Sequence, residues 1–271
     1  MKNILVVITT AFVPTGGLTT VMMNYYRMMN KEEVKIDFAS TNNPPQVLLD
    51  EIHASGSEYY QLSDRKNVLA YFFALKKLCR GYDAIHVHAN SAMAVMELQA
   101  AIWAGIKIRI IHNHSSRSQH NLLNQLFLSL YRRSFTQAVA CSDEAGEWLY
   151  GKNGFITLRN AINAKRFKFD VVKRLIMRHN FGFGDDEYVI GHIGKFMEAK
   201  NHSFLIEVFA KYHALQPKSK LLLIGDGELR HLVEAAIDKN KVNDCVILAG
   251  LRSDISDVLQ AIDRKSTRLN S

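Results

Sequence analysis

Residues 189–202 read VIGHIGKFMEAKNH. The run from Val189 to Ile193 has the length and apolar character of a buried strand, and Gly194 and Lys195 end it. A short loop follows, and Lys200, Asn201 and His202 then open a helical pattern, with Asn201 a favourable N-cap. Two lysines that bracket a strand-to-helix loop suit a polyphosphate. Free N–H groups and the dipole at a helix start favour an anion, and the two ammonium groups add charge. The plainer reading is a pair of surface lysines beside a turn.

The strand, turn and helix of this stretch recur on both sides of it. Downstream lie strand 220–224, helix 228–239, strand 245–249 and helix 254–262. Upstream, strand patterns cover 2–10, 34–40, 58–62 (weakly), 84–88, 106–112 and 138–141. Helical patterns cover 21–29, 47–54, 67–78, 92–104 and 121–135. Such alternation predicts parallel sheets wrapped by helices on both faces. Ile156 to Asn163 and the basic stretch Lys165 to Arg178 that follows read as the passage between two domains, 1–163 and 164–263. The second then has three strands, fewer than a doubly wound sheet usually holds. Residues 264–271 (RKSTRLNS) do not continue the pattern and read as a non-native tail.

A chain of 271 residues with 48% hydrophobic and 22% charged residues has the composition of a soluble, two-domain protein. No apolar run reaches the length of a membrane span, and the start shows no secretory signal. Three well-separated cysteines, Cys79, Cys141 and Cys245, fit a reducing, cytoplasmic setting. The net charge of +8 allows an anionic substrate, an anionic membrane or nucleic acid. No RRM, zinc-finger or basic-region pattern is present, so nucleic acid is not expected. The helices at 67–78 and 121–135, with Phe72, Phe73, Lys76, Lys77, Arg132 and Arg133, offer peripheral contact with anionic lipid. Packing of their apolar faces on the sheet is the preferred reading.

Gly16 and Gly17 follow the first strand, where open α/β sheets bind ligands. No GxGxxG accompanies them. His86 and His88 end one strand, and His112 and His114 another, each pair on one face. No carboxylate or cysteine adjoins them, and catalytic metals commonly take three protein ligands, so a metal is not expected. A neutral histidine bonded to a sugar hydroxyl or phosphate is the better functional reading, with a structural histidine close behind. Gly225-Asp226-Gly227 follows a buried strand and allows a ligand near the backbone, although turn residues alone explain it. Gly250-Leu251-Arg252 repeats that placement. No Ser-His-Asp order, GxSxG or Walker loop appears, and no carboxylate pair stands out as acid and base.

In order, Gly16-Gly17, HVH at 86–88, HNH at 112–114, ACS at 140–142, RNAIN at 159–163 with Phe167, GKF and KNH within 194–202, GDGE at 225–228 and AGLRSDI at 249–255 resemble the family 4 glycosyltransferases. The resemblance spans nearly all of residues 1–263. The His-rich strand ends resemble members that build exopolysaccharide or capsule. It implies an α/β GT-B fold, two Rossmann-like doubly wound domains facing a cleft, the second incomplete. It implies transfer from a nucleoside-diphosphate sugar, UDP-linked, to a glycan or lipid-linked acceptor, with retention and with no metal or other cofactor. Lys195 and Lys200 would hold the donor diphosphate, although arginine is more usual at the first. His114 would meet the transferred sugar. Gly16 and Gly17 would line the diphosphate and acceptor side, with Gly225 and Gly227 on the donor side. Leu251 and Arg252 would lie by the nucleobase. His88, His112 and Asn160 are further candidates. The family's Glu-x7-Glu element would follow residue 263 and is missing, so a fragment with little activity is expected. The alternatives are a UDP-N-acetylglucosamine 2-epimerase, which shares the architecture, and a non-catalytic membrane-surface module.

Overall fold

A computed structural model describes residues 1–14, 16–116 and 121–266. The chain divides into two compact units, Met1–Ile162 and Asn163–Ser271.

Unit 1 runs β1 (Lys2–Ile8), α1 (Gly17–Met28), β2 (Val34–Ser40), α2 (Gln46–Ala54), β3 (Tyr59–Gln61), α3 (Val68–Cys79), β4 (Ala84–Ala89), α4 (Val95–Trp103), β5 (Ile108–Asn113), α5 (Asn121–Ser134), β6 (Gln137–Ala140), α6 (Asp143–Tyr150) and β7 (Phe155–Thr157). The strands form one parallel sheet in the order β3-β2-β1-β4-β5-β6-β7. Leu5, Val7, Ile85, Val87 and Ile111 bury one face against α3 to α6, through Tyr71, Leu75, Leu98, Tyr131 and Leu149. Val6, Ile8, Ile36 and Phe38 bury the other against Met22, Met23 and Tyr26 of α1 and Leu48 and Ile52 of α2. Burial on both faces explains why the strands read as continuous apolar runs. Helix α1 begins at Gly17, ahead of the helical pattern read at 21–29. Helix α6 carries no long apolar stripe and was not foreseen. Ser142 starts it, its side chain accepting from the Ala145 N–H at 3.1 Å.

Unit 2 runs α7 (Val171–Phe181), β8 (Tyr188–Ile193), α8 (His202–Leu215), β9 (Ser219–Ile224), α9 (Arg230–Lys239), β10 (Val246–Gly250), α10 (Ile255–Val258) and β11 (Arg264–Lys265). Its parallel sheet has the order β10-β9-β8-β11. Two expectations need correction. The basic stretch before residue 178 is mostly helix: the Asp170 side chain accepts from Val172 and Lys173 N–H, and Gly182 ends the helix in the left-handed conformation. Arg264 and Lys265 also belong to the fold, as a fourth strand paired with Ile190 and Gly191. An edge strand of two residues needs backbone pairing alone, so its polar side chains hid it. Residues 267–271 of the expected tail lie outside the described residues.

Candidate functional site

In unit 1 the sheet reverses direction at β1. The chain moves outward to β2 and β3, then returns to lay β4 on the other side of β1. The carboxyl ends of β1, β4 and β5 therefore adjoin a topological switch point, the usual ligand crevice of such sheets. The Thr9 N–H and hydroxyl both donate to the His88 carbonyl, at 3.1 and 3.0 Å, locking the ends of β1 and β4 together. Gly16 caps α1. A Cβ there would lie 3.1 Å from the Val13 carbonyl oxygen, whereas one on Gly17 would meet nothing within 4 Å. Gly17 opens the first turn of α1, whose leading N–H groups have no partner within the helix.

The histidines come together by register. His88 pairs with His112 and His86 with Ile110, so His86, His88 and His112 share one face. His114, just past β5, joins them: its Nε2 lies 2.9 Å from His88 Nδ1, and the His112 and His114 rings stack with centroids 4.1 Å apart. Asn113 fixes this turn, its amide donating to the Ser115 and Ala145 carbonyls at 2.7 Å each. Sequence reading missed that role, although the HNH motif flagged the position. Burial, reinforced in three of the four by neighbouring imidazoles, holds the rings far below the usual histidine range. His86 and His114 are pushed down to about 4, His112 to about 2, and His88 well below its ordinary value. All four are neutral at pH 7, each with one N–H and one lone pair. Three ring nitrogens here have no hydrogen-bond partner among the described residues: His86 Nε2 and both nitrogens of His112. Asn160 is exposed and lies elsewhere. Its neighbours Arg159 and Ala161 are tied through their carbonyls to Tyr25 and Asn24 of α1.

In unit 2, β8 is the reversal strand, with β9 on one side and β11 on the other. Gly194 and Lys195 leave its carboxyl end, again at a switch point. The Gly194 N–H donates to Ile224 and the Phe196 N–H to Asp226, at 2.9 and 3.0 Å, laying this loop along the one after β9. What approaches Gly225 and Gly227 is therefore protein backbone. A Cβ on Gly225 would stand 2.1 Å from the Gly194 carbonyl oxygen, and one on Gly227 2.5 Å from that of Phe196. The Lys200 stem packs over Gly194, and Asn201 caps α8 by accepting from the Phe204 N–H. Lys195 and Glu228 are both exposed, with Nζ and Oε2 3.7 Å apart. Such a pair is worth about 0–1 kcal/mol and opens easily for a stronger anion. His202 packs edge-on against His192 and Phe196, and burial pushes it down to about 4.

Gly250 joins the cluster by accepting from the Gly225 N–H at 2.9 Å, and Leu251 beside it is exposed. Arg252 turns away. Its guanidinium is held by Asp254 at 2.5–2.8 Å and lies over the Phe181 ring. A cleft of about 650 Å³ in unit 1 is lined by Lys35, Asp37, Tyr60 and Lys77 among others, and by none of the histidines or glycines described above.

The sequence pattern described as Glycosyltransferase Family 4 matches residues 15–172, and that of Glycosyl transferases group 1 matches 173–264. The chain is similar to EpsF of Bacillus subtilis, named as a glycosyltransferase, at 27% identity over 92% of this chain and 68% of that one. It is 22% identical to N-acetyl-alpha-D-glucosaminyl L-malate synthase of Bacillus anthracis, over 94% of this chain and 70% of the relative. HepE from Anabaena, solved with UDP and glucose, superposes with a TM-score of 0.81 at 17% identity, covering 98% of this chain and 73% of HepE. That likeness establishes the GT-B fold, and with both sequence patterns matched in succession the chain belongs to glycosyltransferase family 4.

Proposed function

We propose that the chain takes part in transfer of a sugar from a UDP-sugar to a glycan or lipid-linked acceptor, in cytoplasmic steps of exopolysaccharide synthesis, with retention and without a metal. The observation that carries this reading is the Gly194–Lys195 loop at the switch point of unit 2. It is braced by the backbone of residues 224–226, with Lys200 folded over it and the start of α8 beyond. HepE, of the same fold, binds UDP and glucose.

In this reading the diphosphate displaces Glu228 from Lys195, and Lys195 and Lys200 neutralise the charge that grows on it as the sugar leaves. Fixed cations aimed at a developing anion are a large catalytic term. The leaving phosphate takes the acceptor's proton, which fits the lack of a matched carboxylate pair. Neutral His114, oriented by His88, bonds a hydroxyl of the sugar.

Calorimetric titration of residues 1–271 with UDP tests the site. Charge-assisted bonds contribute about 1.5–3 kcal/mol, so Lys195→Ala and Lys200→Ala should each weaken UDP about tenfold to a hundredfold. EDTA should leave the affinity unchanged. Wild-type affinity in both variants overturns the assignment. The anomeric configuration of product, read by proton NMR, tests retention.

A second reading concerns where the enzyme works. The inner face of α5 packs on the sheet, as expected. Leu122, Leu126 and Leu130, one turn apart, stay exposed with Arg132 and Arg133 near the helix end. On α3 and α4, Leu69, Phe73 and Trp103 are likewise exposed beside Lys76 and Lys77. We infer that this basic, apolar surface rests on anionic lipid at the inner face of the cell membrane. Among the described residues no helix is long and apolar enough to cross a membrane.

A further inference from the structure

We propose that His86, His88 and His112 form a binding site for one transition-metal ion of the Zn²⁺ or Co²⁺ type, with His114 as its outer support. The site is independent of the proposed transfer, which takes no metal, and stands whether or not His114 meets a sugar.

Three observations carry it. One nitrogen from each of the three rings lies within 4.8 Å of the other two. His86 Nε2 and both nitrogens of His112 are buried without a partner among the described residues, so the one lone pair of His112, on either nitrogen, and the Nε2 position of His86 are unclaimed by the protein. Finally, the rings sit on two hydrogen-bonded strands, with His88 opposite His112, so the backbone holds them together with or without an ion.

The donor set selects the ion. Imidazole nitrogen suits Zn²⁺, Co²⁺, Ni²⁺ and Cu²⁺, whereas Mg²⁺ and Ca²⁺ require oxygen, and the three rings supply none. Bonds of about 2.0–2.1 Å at tetrahedral angles place ligand nitrogens about 3.3 Å apart. The His86 and His112 rings lie parallel with centroids 5.6 Å apart, so binding requires them to turn about their side-chain bonds and close inward on the ion. His114 provides the support that metal-bound histidines usually have. When His88 Nδ1–H donates to His114 Nε2 across their 2.9 Å contact, His88 Nε2 is left with its lone pair for the ion. His86 is only partly buried and marks the way in. Three ligands leave a fourth position for water. Once bound, the ion pins His88 and, through it, His114. The reading from sequence found no carboxylate or cysteine beside these histidines. It lacked the strand register that makes imidazoles alone sufficient.

The test uses the purified chain stripped with EDTA and titrated with Zn²⁺ and, separately, Mg²⁺. The expected result is one Zn²⁺ per chain with a raised melting temperature, and no response to Mg²⁺. His112→Gln should abolish stoichiometric uptake. His114→Gln, which removes only the outer support, should weaken it about 10- to 100-fold. X-ray absorption of the Zn²⁺-loaded wild type reads the ligands directly, so the outcome does not hang on whether a variant folds. At least three imidazoles in the shell support the site. No uptake by the wild type, a shell with fewer than three imidazoles, or undiminished uptake by a folded His112→Gln variant overturns it.

Discussion

Gly225 and Gly17 look alike in sequence, each a glycine between a strand and the helix that follows it, and the structure separates them. Gly225 adopts φ +140°, which side chains other than glycine rarely tolerate, and a Cβ there would press 2.1 Å from the Gly194 carbonyl oxygen. Neither the angle nor the backbone atom gives way without parting the two loops. Gly225→Ala is therefore expected to lower stability by about 2 kcal/mol or more. Gly17→Ala opens a methyl onto empty space at the first residue of a helix and should stay within about 0.5 kcal/mol of wild type. Urea unfolding of both variants checks the contrast, and equal stabilities would refute the account of loop against loop. Sequence alone marked 225 and 227 as glycines that would admit a ligand near the backbone or simply form a turn. It did not show what approaches them, because their neighbours, Gly194 and Phe196, lie some thirty residues away in the chain.

Elements built on buried polar residues were the hardest to read in advance. Strands β4 and β5 were legible from Ile85, Val87 and Ile111, but their histidine face gave no sign of which rings would touch until register paired His88 with His112. That face should make stability depend on pH. Burial lowers the folded pKa of these rings to about 4 for His86 and His114 and about 2 for His112, against 6.5 unfolded. Between those values the unfolded chain holds more protons, so acid favours unfolding. Stability should be level above pH 6.5 and fall as pH drops from 6.5 toward 4, each fully differing ring adding up to about 1.4 kcal/mol per pH unit. Urea midpoints measured from pH 7 to 4 test this, and His86→Gln should flatten the slope; an unchanged midpoint at pH 5 refutes it. Helix α7 misled for a related reason. Its apolar Val171, Val172, Leu175 and Ile176 are exposed, while Arg178 is buried against the Gly184, Glu187 and Ala261 carbonyls and Asp263. Asp263 in turn accepts from the Val189 N–H and from Arg174. A basic stretch that reads as the passage between domains thus braces α7 against residues 184–187 and 261–263 of unit 2. Arg178→Ala strands buried acceptors and a carboxylate, and should cost about 3–5 kcal/mol, read from the unfolding midpoint of unit 2.

At the scale of the molecule, alternation of strand and helix sufficed for the class of both sheets, since each crossover must lay parallel strands side by side. Strand order was not legible. It is the order that puts Gly16 and His88 in one unit, and Gly194 and Lys195 in the other, at the carboxyl ends of strands where the winding reverses. The net charge of +8 is likewise a property of the whole chain, and the structure shows where it meets apolar surface. Lys76, Lys77, Arg132 and Arg133 border exposed Leu69, Phe73, Trp103, Leu126 and Leu130 on helices of one layer of unit 1. If this surface rests on anionic lipid as proposed, basic side chains would draw it to the headgroups and the leucines would then enter the interface, so both terms should be measurable. The chain should sediment with phosphatidylglycerol-rich vesicles and far less with neutral ones. Raising salt from about 0.1 M to 1 M, which shortens the screening length from about 10 to 3 Å, should release much of it. Leu126→Asp with Leu130→Asp replaces exposed residues and should leave the melting temperature near wild type while reducing sedimentation even at low salt. Binding that is indifferent to lipid charge, or intact in a folded double variant, would show that the outer face of α5 meets something other than an anionic bilayer.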